Sequence, residues 1–338
     1  MNGRERILAA LRGEPVDSLP HIPISMMIAA DVIGEPYGKY ILDADVHARG
    51  QVKFARLYDV DHVSAISCPT TEAADLGASI IYYPDQPPAV DEENALLTDK
   101  TRLSSLAVAD PGSGRRMSKR LEVIRLLKER IGVEKLVEGW VEGPMAESAD
   151  LRGINRVMVD LIDDPGFVRE LIAFVYENAM SFARAQVRAG ADIIGVGDAA
   201  SSLIGPELYG EFALEWEKKY IESIHAMGAL VRLHICGSTN ALFPQLAEVN
   251  ADIVDLDSMA SIAGAREQMG ADRMLSGNID PVRVLQDGTP AEVTAAFARC
   301  FAEAGGRRYA VNAGCEVPRR TPPANLRAMR DFARSRRE

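Results

Sequence analysis

Three side chains with affinity for soft divalent metals stand at predicted strand ends in this sequence: His234, Cys236 and Cys315. His234 and Cys236 are two positions apart, and in an extended segment that spacing puts both side chains on the same face. Cys315 comes much later in the chain, but it follows the last predicted strand at an equivalent depth. One imidazole and two thiolates suit zinc well, so the sequence predicts a zinc site with these three ligands.

The predicted ligand set also indicates a type of chemistry. Three protein ligands leave one tetrahedral position open, which is typical of catalytic rather than structural zinc sites, and we expect a substrate atom or water there. Two thiolates cancel the formal charge of the dication, which weakens it as a Lewis acid but lets a bound thiol ionise and stay electron-rich. Such a site favours thiolate activation or alkyl transfer over hydrolysis.

Acidic residues follow three more predicted strands and are candidate catalytic residues: Glu142 after strand three, Asp198 after strand four and Asp257 after strand six. In βα barrels the working residues lie at the C-terminal ends of the strands, where these three stand. Acidic residues also commonly cap helix starts or make structural hydrogen bonds, so both roles stay open. We rank the three below the metal ligands.

The elements that must position these residues alternate between strand and helix. Short apolar runs, partly β-branched and ended by Gly, Asp or Pro, predict eight strands: His21–Met26, His62–Ser67, Lys135–Val141, Asp192–Gly197, Leu230–Ile235, Asp252–Leu256, Arg273–Gly277 and Arg308–Asn312. Helical periodicity and punctuation predict helices at Asp45–Leu57, Met117–Arg130, Pro165–Ala189, Pro206–Met227, Ala241–Val249 and Pro290–Glu303. This alternation predicts the α/β class and a (β/α)8 TIM barrel.

One segment departs from the alternation. Between Thr70 and Gly114 the sequence is typical of a hairpin followed by a loop, and we expect this excursion after strand two to cover one side of the barrel mouth. No long linker or composition shift divides the chain. Residues 1–338 are therefore predicted to form a single barrel domain.

Composition and charge exclude several classes of partner. The net charge is −11, without a basic cluster except a few arginines near the C-terminus, which argues against binding to nucleic acid or an anionic membrane. The chain has no run of about 18 apolar residues and no secretory signal pattern, so we expect a soluble, cytoplasmic protein. Its cysteines are too few for a disulfide framework. Of the remaining two, we leave Cys68 out of the metal site and expect Cys300 to pack in the core.

Several motifs resemble one known family. The segments HICGST at His234–Thr239 and GCEVPRRTPPANLRAM at Gly314–Met329 are similar to the zinc-dependent methyltransferases of the uroporphyrinogen decarboxylase superfamily. Its members include methylcobamide:coenzyme M methyltransferases and corrinoid-dependent O-demethylase proteins. The resemblance extends to Glu142–Pro144, Gly197–Ser202 and Gly277–Val282 and implies the same eight-stranded barrel.

The resemblance also implies a function. It makes His234, Cys236 and Cys315 the zinc ligands, and Glu142, Asp198 and Asp257 candidates for contact with substrate or corrinoid. The expected reaction moves a methyl group between a corrinoid such as methylcobalamin and a small substrate. That substrate is a thiol acceptor or a methyl ether or amine donor, and the sequence does not choose between them. The corrinoid is expected on a separate carrier protein, and the enzyme as a monomer or homodimer.

Two alternatives belong to other classes. A decarboxylase acting on an unknown substrate needs cationic anchors in the mouth, such as Arg232 or Arg319, and no metal. Uroporphyrinogen itself is disfavoured, because the arginines of strand one and the aspartate of strand two that mark that branch are not present here. A structural or redox zinc protein predicts a closed site with a fourth protein ligand.

Overall fold

A curved parallel sheet forms the centre of the molecule in the computed structural model, which describes residues 1–337. Its seven strands are β1 (His62–Ser64), β4 (Leu136–Glu142), β5 (Ile193–Gly197), β6 (Leu230–Ile235), β7 (Ile253–Leu256), β8 (Met274–Ile279) and β9 (Tyr309–Ala313), in that order. The other two strands, β2 (Ile80–Ile81) and β3 (Ala89–Val90), pair antiparallel in a separate hairpin. The predicted α/β barrel and the predicted hairpin are both confirmed.

The first predicted strand, His21–Met26, is wrong as a strand, because the sheet contains only one bridge there, between His21 and Val311. The segment still takes the eighth position of the barrel. Ile22 donates to the carbonyl of Val311 on one side, and Asp61 donates to the carbonyl of His21 on the other. Proline at positions 20 and 23 removes two amide donors, which limits a regular ladder.

Helices surround the sheet. In the first half of the chain they are α1 (Gly3–Arg12), α2 (Met27–Asp31), α3 (Tyr37–Leu42), α4 (Ala44–Tyr58), α5 (Thr71–Leu76), α6 (Arg115–Ile131), α7 (Pro144–Arg152) and α8 (Ile154–Asp163). In the second half they are α9 (Pro165–Ala189), α10 (Gly205–Leu208), α11 (Leu214–Ala226), α12 (Phe243–Leu246), α13 (Ile262–Met269), α14 (Pro290–Glu303) and α15 (Pro323–Ser335). Among residues 1–337, none of these helices has the length and apolar character to cross a membrane.

Two predicted helices are interrupted. The predicted helix Pro206–Met227 is divided into α10, a π-helical segment at Tyr209–Ala213, and α11. The predicted helix Ala241–Val249 shortens to a single 3-10 turn followed by α12. In the second case Pro244 lies within the predicted helix. It has no amide to donate to the preceding turn, so the α-helical part is confined to the short α12.

Side chains that point into the barrel form layers. At the N-terminal end, Leu136, Ile193, Ile253 and Met274 pack with α1, which closes that end of the barrel. One level up, charged and polar side chains fill the interior: Glu138, Arg232, Asp255, Ser276 and Asn312, all buried. Inward-facing residues repeat every second position along a strand, so the next level along β6 is His234. The metal-ligand candidates therefore lie directly above a buried charged layer.

Candidate metal centre at the barrel mouth

The three predicted metal ligands come together at the C-terminal end of the barrel. His234 is near the end of β6, Cys236 follows that strand, and Cys315 lies two residues past β9. The Nε2 atom of His234 lies 3.0 Å from Sγ of Cys236, and the two Sγ atoms are 3.8 Å apart. The ligand atoms all lie within 4.8 Å of one another, a spacing that fits a single ion.

A buried carboxylate lies beside the other nitrogen of the imidazole. Asp255 is directly opposite His234 in the ladder between β6 and β7, and its Oδ2 lies 3.0 Å from Nδ1 of His234. Asp255 is itself held in place, since it accepts hydrogen bonds from Arg232 at 2.9 Å and from Asn312 at 2.7 Å. A carboxylate beside the distal nitrogen orients the ring of a metal-ligating histidine.

The charges around the ligands favour ionisation of Asp255 and Cys315, whereas the hydrogen bond with Cys315 and burial raise the pKa of Cys236. Burial opposes ionisation of Asp255, but Arg232 and His234 outweigh it and hold the pKa of this carboxyl well below its usual range. The Cys236 thiol and then the His234 imidazole lower the pKa of Cys315 to about 5, against the opposing effect of burial. A thiolate is the form of cysteine that binds metals. The donor set of one imidazole nitrogen and two sulfurs fits zinc.

The turn after Cys236 is fixed by the predicted site residue Asp257. Its Oδ2 accepts a hydrogen bond from the amide of Gly237 at 3.0 Å, and its Oδ1 accepts from the amide of Met259. Gly237 has a φ of 87°, in the left-handed region that favours glycine. Asp257 therefore positions the loop that carries Cys236. Both cysteines are half-buried, so their sulfurs border the open mouth.

Glu142, the second predicted site residue, ends β4 at the mouth. In the ladder it is opposite Gly197, which in turn is opposite His234, so two strand spacings separate Glu142 from His234. Its Oε1 accepts a hydrogen bond from Nε1 of Trp140 at 3.2 Å. Burial and the neighbouring Glu72 raise the pKa of Glu142 well above its usual range. The surroundings of Glu142 therefore favour its protonated form.

Asp198, the third predicted site residue, is fully buried and satisfied by hydrogen bonds. Its Oδ1 accepts from the amides of Met145 at 3.0 Å and Ala146 at 2.7 Å, in the first turn of α7, and its Oδ2 accepts from Ser201. Burial raises its pKa to about 6 against these hydrogen bonds. The contacts are those of a helix-capping carboxylate. Its catalytic role stays a prediction.

Trp140 forms an apolar wall beside the metal ligands. It packs with Ile24, Ile66 and Met26, and glycine at position 197 makes room for its ring, because a Cβ there would lie 2.8 Å from the indole. Position 195, on the same face of β5, must also be glycine, because a Cβ there would collide with the Trp140 ring.

The cysteines outside the site have other partners. Cys300 is buried on α14, as expected for a core thiol. Cys68 is buried next to Arg116, whose Nη2 lies 2.9 Å from its Sγ. Burial opposes ionisation of Cys68, but Arg120 and Arg116 lower its pKa to about 7. Within residues 1–337, the group that fits a metal contains His234, Cys236 and Cys315 and not Cys68.

Comparison with known proteins places the whole chain in one family. The model of the uroporphyrinogen decarboxylase (URO-D) family matches residues 2–336. The chain belongs to the URO-D family. The resemblance predicted from the sequence is therefore confirmed.

Curated relatives of this URO-D protein include two methyltransferases. It is 28% identical to the methylcobamide:CoM methyltransferase MtbA of Methanosarcina mazei, over 99% of this chain and 98% of the relative. It is 26% identical to the methylcobamide:CoM methyltransferase MtaA of Methanosarcina barkeri strain Fusaro, over 96% of both chains. The prediction of a methyltransferase is confirmed by these relatives.

A solved structure with the same fold is a methyltransferase from Methanosarcina mazei. It superimposes with a TM-score of 0.89 at 24% identity and covers 99% of this chain and 98% of its own. At this identity the likeness establishes the fold. It confirms the predicted barrel type of this URO-D protein.

Sequence reasoning missed the groups that surround the predicted ligands. The role of Asp255 beside His234 is not visible in the sequence, because only the register between β6 and β7 shows that they are opposite. Glu72 was not singled out, although its Oε1 accepts a hydrogen bond from the amide of Glu142 at 3.1 Å. Nothing local in the sequence distinguishes it from an exposed helix residue. The contact depends on the packing of α5 against β4.

Proposed function

We propose that this URO-D protein is a zinc-dependent methyltransferase that moves a methyl group between a corrinoid and a small substrate. The observation that supports it best is the convergence of one imidazole and two thiols at the barrel mouth, with Asp255 fixing the imidazole from below. When bound there by His234, Cys236 and Cys315, zinc supplies the Lewis acidity that lets a substrate thiol ionise near neutral pH.

The residues of this chain have separate parts in the proposed reaction. Asp255 orients His234, and Asp257 holds the turn that presents Cys236. Trp140 and Ile66 keep water from one side of the mouth, which preserves the strength of electrostatic interactions there. Glu142, whose raised pKa favours the protonated form, would supply or accept a proton at the barrel mouth.

A thiol is the preferred methyl acceptor in this proposal. The names of both relatives specify coenzyme M, which is a thiol, and methylcobamide, which is a corrinoid. A methyl ether or amine donor, with transfer in the opposite direction, is the second candidate, because the protonated Glu142 suits a departing oxygen or nitrogen. We propose that the corrinoid arrives on a carrier protein that docks at the mouth.

The decarboxylase alternative lacks free cationic anchors at the positions considered. Arg232 is 1% exposed and is committed to Asp255 and Glu138 inside the barrel. Arg319 pairs with Asp31 at 2.6 Å and with Asp85 at 3.0 Å. Both guanidinium groups are neutralised by neighbouring carboxylates, so neither is available for a substrate carboxylate.

Metal analysis combined with a methyl-transfer assay tests the proposal. We expect about one zinc ion per chain in the wild type and thiol-dependent demethylation of methylcobalamin with coenzyme M as acceptor. Cys315→Ser should lose the zinc and the activity while its circular dichroism spectrum stays that of the wild type. Cys300→Ala, which changes a buried cysteine outside the site, serves as the matched control and should keep both.

Three other outcomes would contradict the proposal or favour one of the alternatives. Zinc without thiol-dependent demethylation favours the methyl ether or amine donor. Absence of zinc from a carefully prepared wild type contradicts the metal site. Unfolding of Cys315→Ser together with loss of zinc supports the structural alternative, in which the ion only holds the fold together.

A further inference from the structure

Four carboxyl groups form a second cluster beside the mouth, outside the metal ligands. Glu72 is on α5, Glu142 ends β4, and Glu147 and Asp150 lie on α7. Glu142 is 6% exposed, Glu72 2% and Glu147 1%, while Asp150 is half-buried. Their burial is unusual, because acidic side chains are rarely buried without a partner. We refer to these four residues as the carboxyl cluster.

The cluster contains polar atoms without protein partners. Neither carboxyl oxygen of Glu147 has a hydrogen-bond partner among residues 1–337, and the same holds for Oδ2 of Asp150. The hydroxyl of Tyr220, on α11, is likewise unpartnered, and it interacts electrostatically with Glu72, Glu142 and Glu147. Buried polar groups in native proteins are nearly always satisfied, if not by protein then by ordered water. These atoms therefore point to bound water inside the cluster.

Charged groups around the cluster do not neutralise it. Arg120 on α6 is a cation that favours ionisation of Glu72 and Glu142, but one positive charge offsets at most one of the four carboxylates. Cys68 after β1 and Glu92 after β3 also act on members of the cluster, and Tyr220 on α11 interacts with the cluster and with Asp198 after β5. All of these are neutral or negative. The four carboxyl groups consequently cannot all be ionised at once.

Burial keeps protons on this cluster near neutral pH. It raises the pKa of Glu72 to about 8 and that of Asp150 to about 7. Burial and the neighbouring carboxyl groups also raise the pKa of Glu142 and Glu147 well above the usual range. Groups that titrate between pH 7 and 8 exchange protons readily under physiological conditions.

The cluster extends from the barrel mouth toward the surface. At one end, Glu142 is two strands from His234 in the ladder, roughly 10 Å at ordinary strand spacing. Glu72 lies next to it, since its carboxyl group accepts from the Glu142 amide. At the other end, the half-buried Asp150 interacts with the exposed Glu92. Glu147 interacts with the other three members and joins the two ends.

We propose that the carboxyl cluster and its bound water form a proton path between the metal centre and solvent, with Glu142 exchanging the proton with the substrate. This inference rests on the proposed function. Methylation of a thiol breaks its S–H bond and the carbon–cobalt bond and forms an S–C bond; the electron pair stays on cobalt, and one proton is released. Demethylation of an ether takes up one proton on oxygen. Either direction needs a group that handles this proton.

Infrared spectroscopy of the resting zinc-loaded protein tests the stored protons without any turnover. We expect a band of protonated carboxyl groups at pH 7 that shifts in heavy water. The band should weaken in Glu147→Gln and return in Glu147→Asp, which keeps the carboxyl group. Glu93→Gln, at an exposed position near the outer end, should leave it unchanged.

The pH dependence of single-turnover methyl transfer from methylcobalamin to coenzyme M tests the path itself. The wild-type rate should rise between pH 7 and 8, as the cluster becomes able to accept a proton. Glu142→Gln should lower the rate about 10²-fold, the usual loss for direct proton transfer. Glu147→Gln should lower it on the order of tenfold and remove the rise with pH, with zinc content unchanged.

The results separate the path from the function on which it rests. If the wild type transfers methyl groups and Glu147→Gln matches Glu93→Gln in rate, pH profile and infrared band, the path is wrong and the methyltransferase stands. If the wild type binds no zinc and transfers no methyl group from any donor tested, both proposals fail together.

Discussion

Asp255 is the residue on which the geometry of the metal centre depends most directly. It contacts Nδ1 of His234 and is held by Arg232 and Asn312. We expect Asp255→Asn to weaken zinc affinity by about 10–100-fold, the usual loss when the partner of a ligating histidine is removed. Competition with a chromophoric zinc chelator measures this change.

A second Asp–His pair in the same barrel provides the control for this prediction. At the N-terminal end of the barrel, opposite the mouth, Oδ2 of Asp252 lies 2.8 Å from Nε2 of His225. Asp252→Asn should leave zinc affinity unchanged. An equal loss in both variants would mean that the effect reflects general destabilisation rather than ligand orientation.

The convergence of His234, Cys236 and Cys315 was predictable from residue type and strand-end position, whereas the surroundings of these side chains were not. The spacing of His234 and Cys236 fixes a shared face within one strand, which sequence alone specifies. The contact between His234 and Asp255 depends on the register between two strands, and the contact between Glu72 and Glu142 depends on helix packing. Neither contact can be recognised from the residues that are close in sequence.

At the scale of elements, β4 and β5 fit together because two glycines of β5, Gly195 and Gly197, leave room for the Trp140 ring. A Cβ at Gly197 would lie 2.8 Å from the Trp140 ring. We expect Gly197→Ala to lower the free energy of unfolding by about 1–3 kcal/mol, the usual cost of overpacking. Urea denaturation measures it. Gly166→Ala, where the added Cβ would have no neighbour nearer than 3.9 Å, should have little effect, and equal losses would contradict the packing argument.

Helices with strong end signals were predicted accurately, and short buried ones were missed. The bounds of Pro165–Ala189 and Pro290–Glu303 are those predicted, because Asp164 and Thr289 cap them and proline occupies the first turn. By contrast α7 and α8 follow each other with only Gly153 between them, so periodicity did not separate them. The irregular path of residues 21–26 reflects the missing amide donors of the prolines at positions 20 and 23, which the strand prediction did not take into account.

At the scale of the whole molecule, the C-terminal helix α15 is fastened to the barrel by Arg334. Its Nε donates to Asp59 at 2.6 Å, and its Nη2 donates to Asp61 at 2.8 Å. Burial opposes ionisation of Asp59, but Arg334 outweighs it and lowers the pKa of this carboxyl to about 2. Because this value lies below that of an unfolded aspartate, about 3.9, the contact stabilises the protein above pH 4.

This stabilisation should be lost as the pH falls from about 4 toward 2. We expect Arg334→Gln to have a lower Tm than the wild type at pH 6. This difference in Tm should become smaller as the pH approaches 2. Arg330→Gln, at a neighbouring ion pair on the helix surface, is the control and should follow the wild type. A constant difference across this pH range would argue against the ionic contact.

The amide group of Asn312 joins barrel closure to the metal centre. Its oxygen accepts from the backbone of Ile24 in the closing segment at 3.1 Å, and its nitrogen donates to Asp255, the partner of His234. Local opening of the barrel at this segment therefore loosens the support of a metal ligand, and a filled site should resist that opening in return. Hydrogen–deuterium exchange at the amides of Ile22 and Ile24 should consequently slow when zinc is added, although neither residue is a ligand.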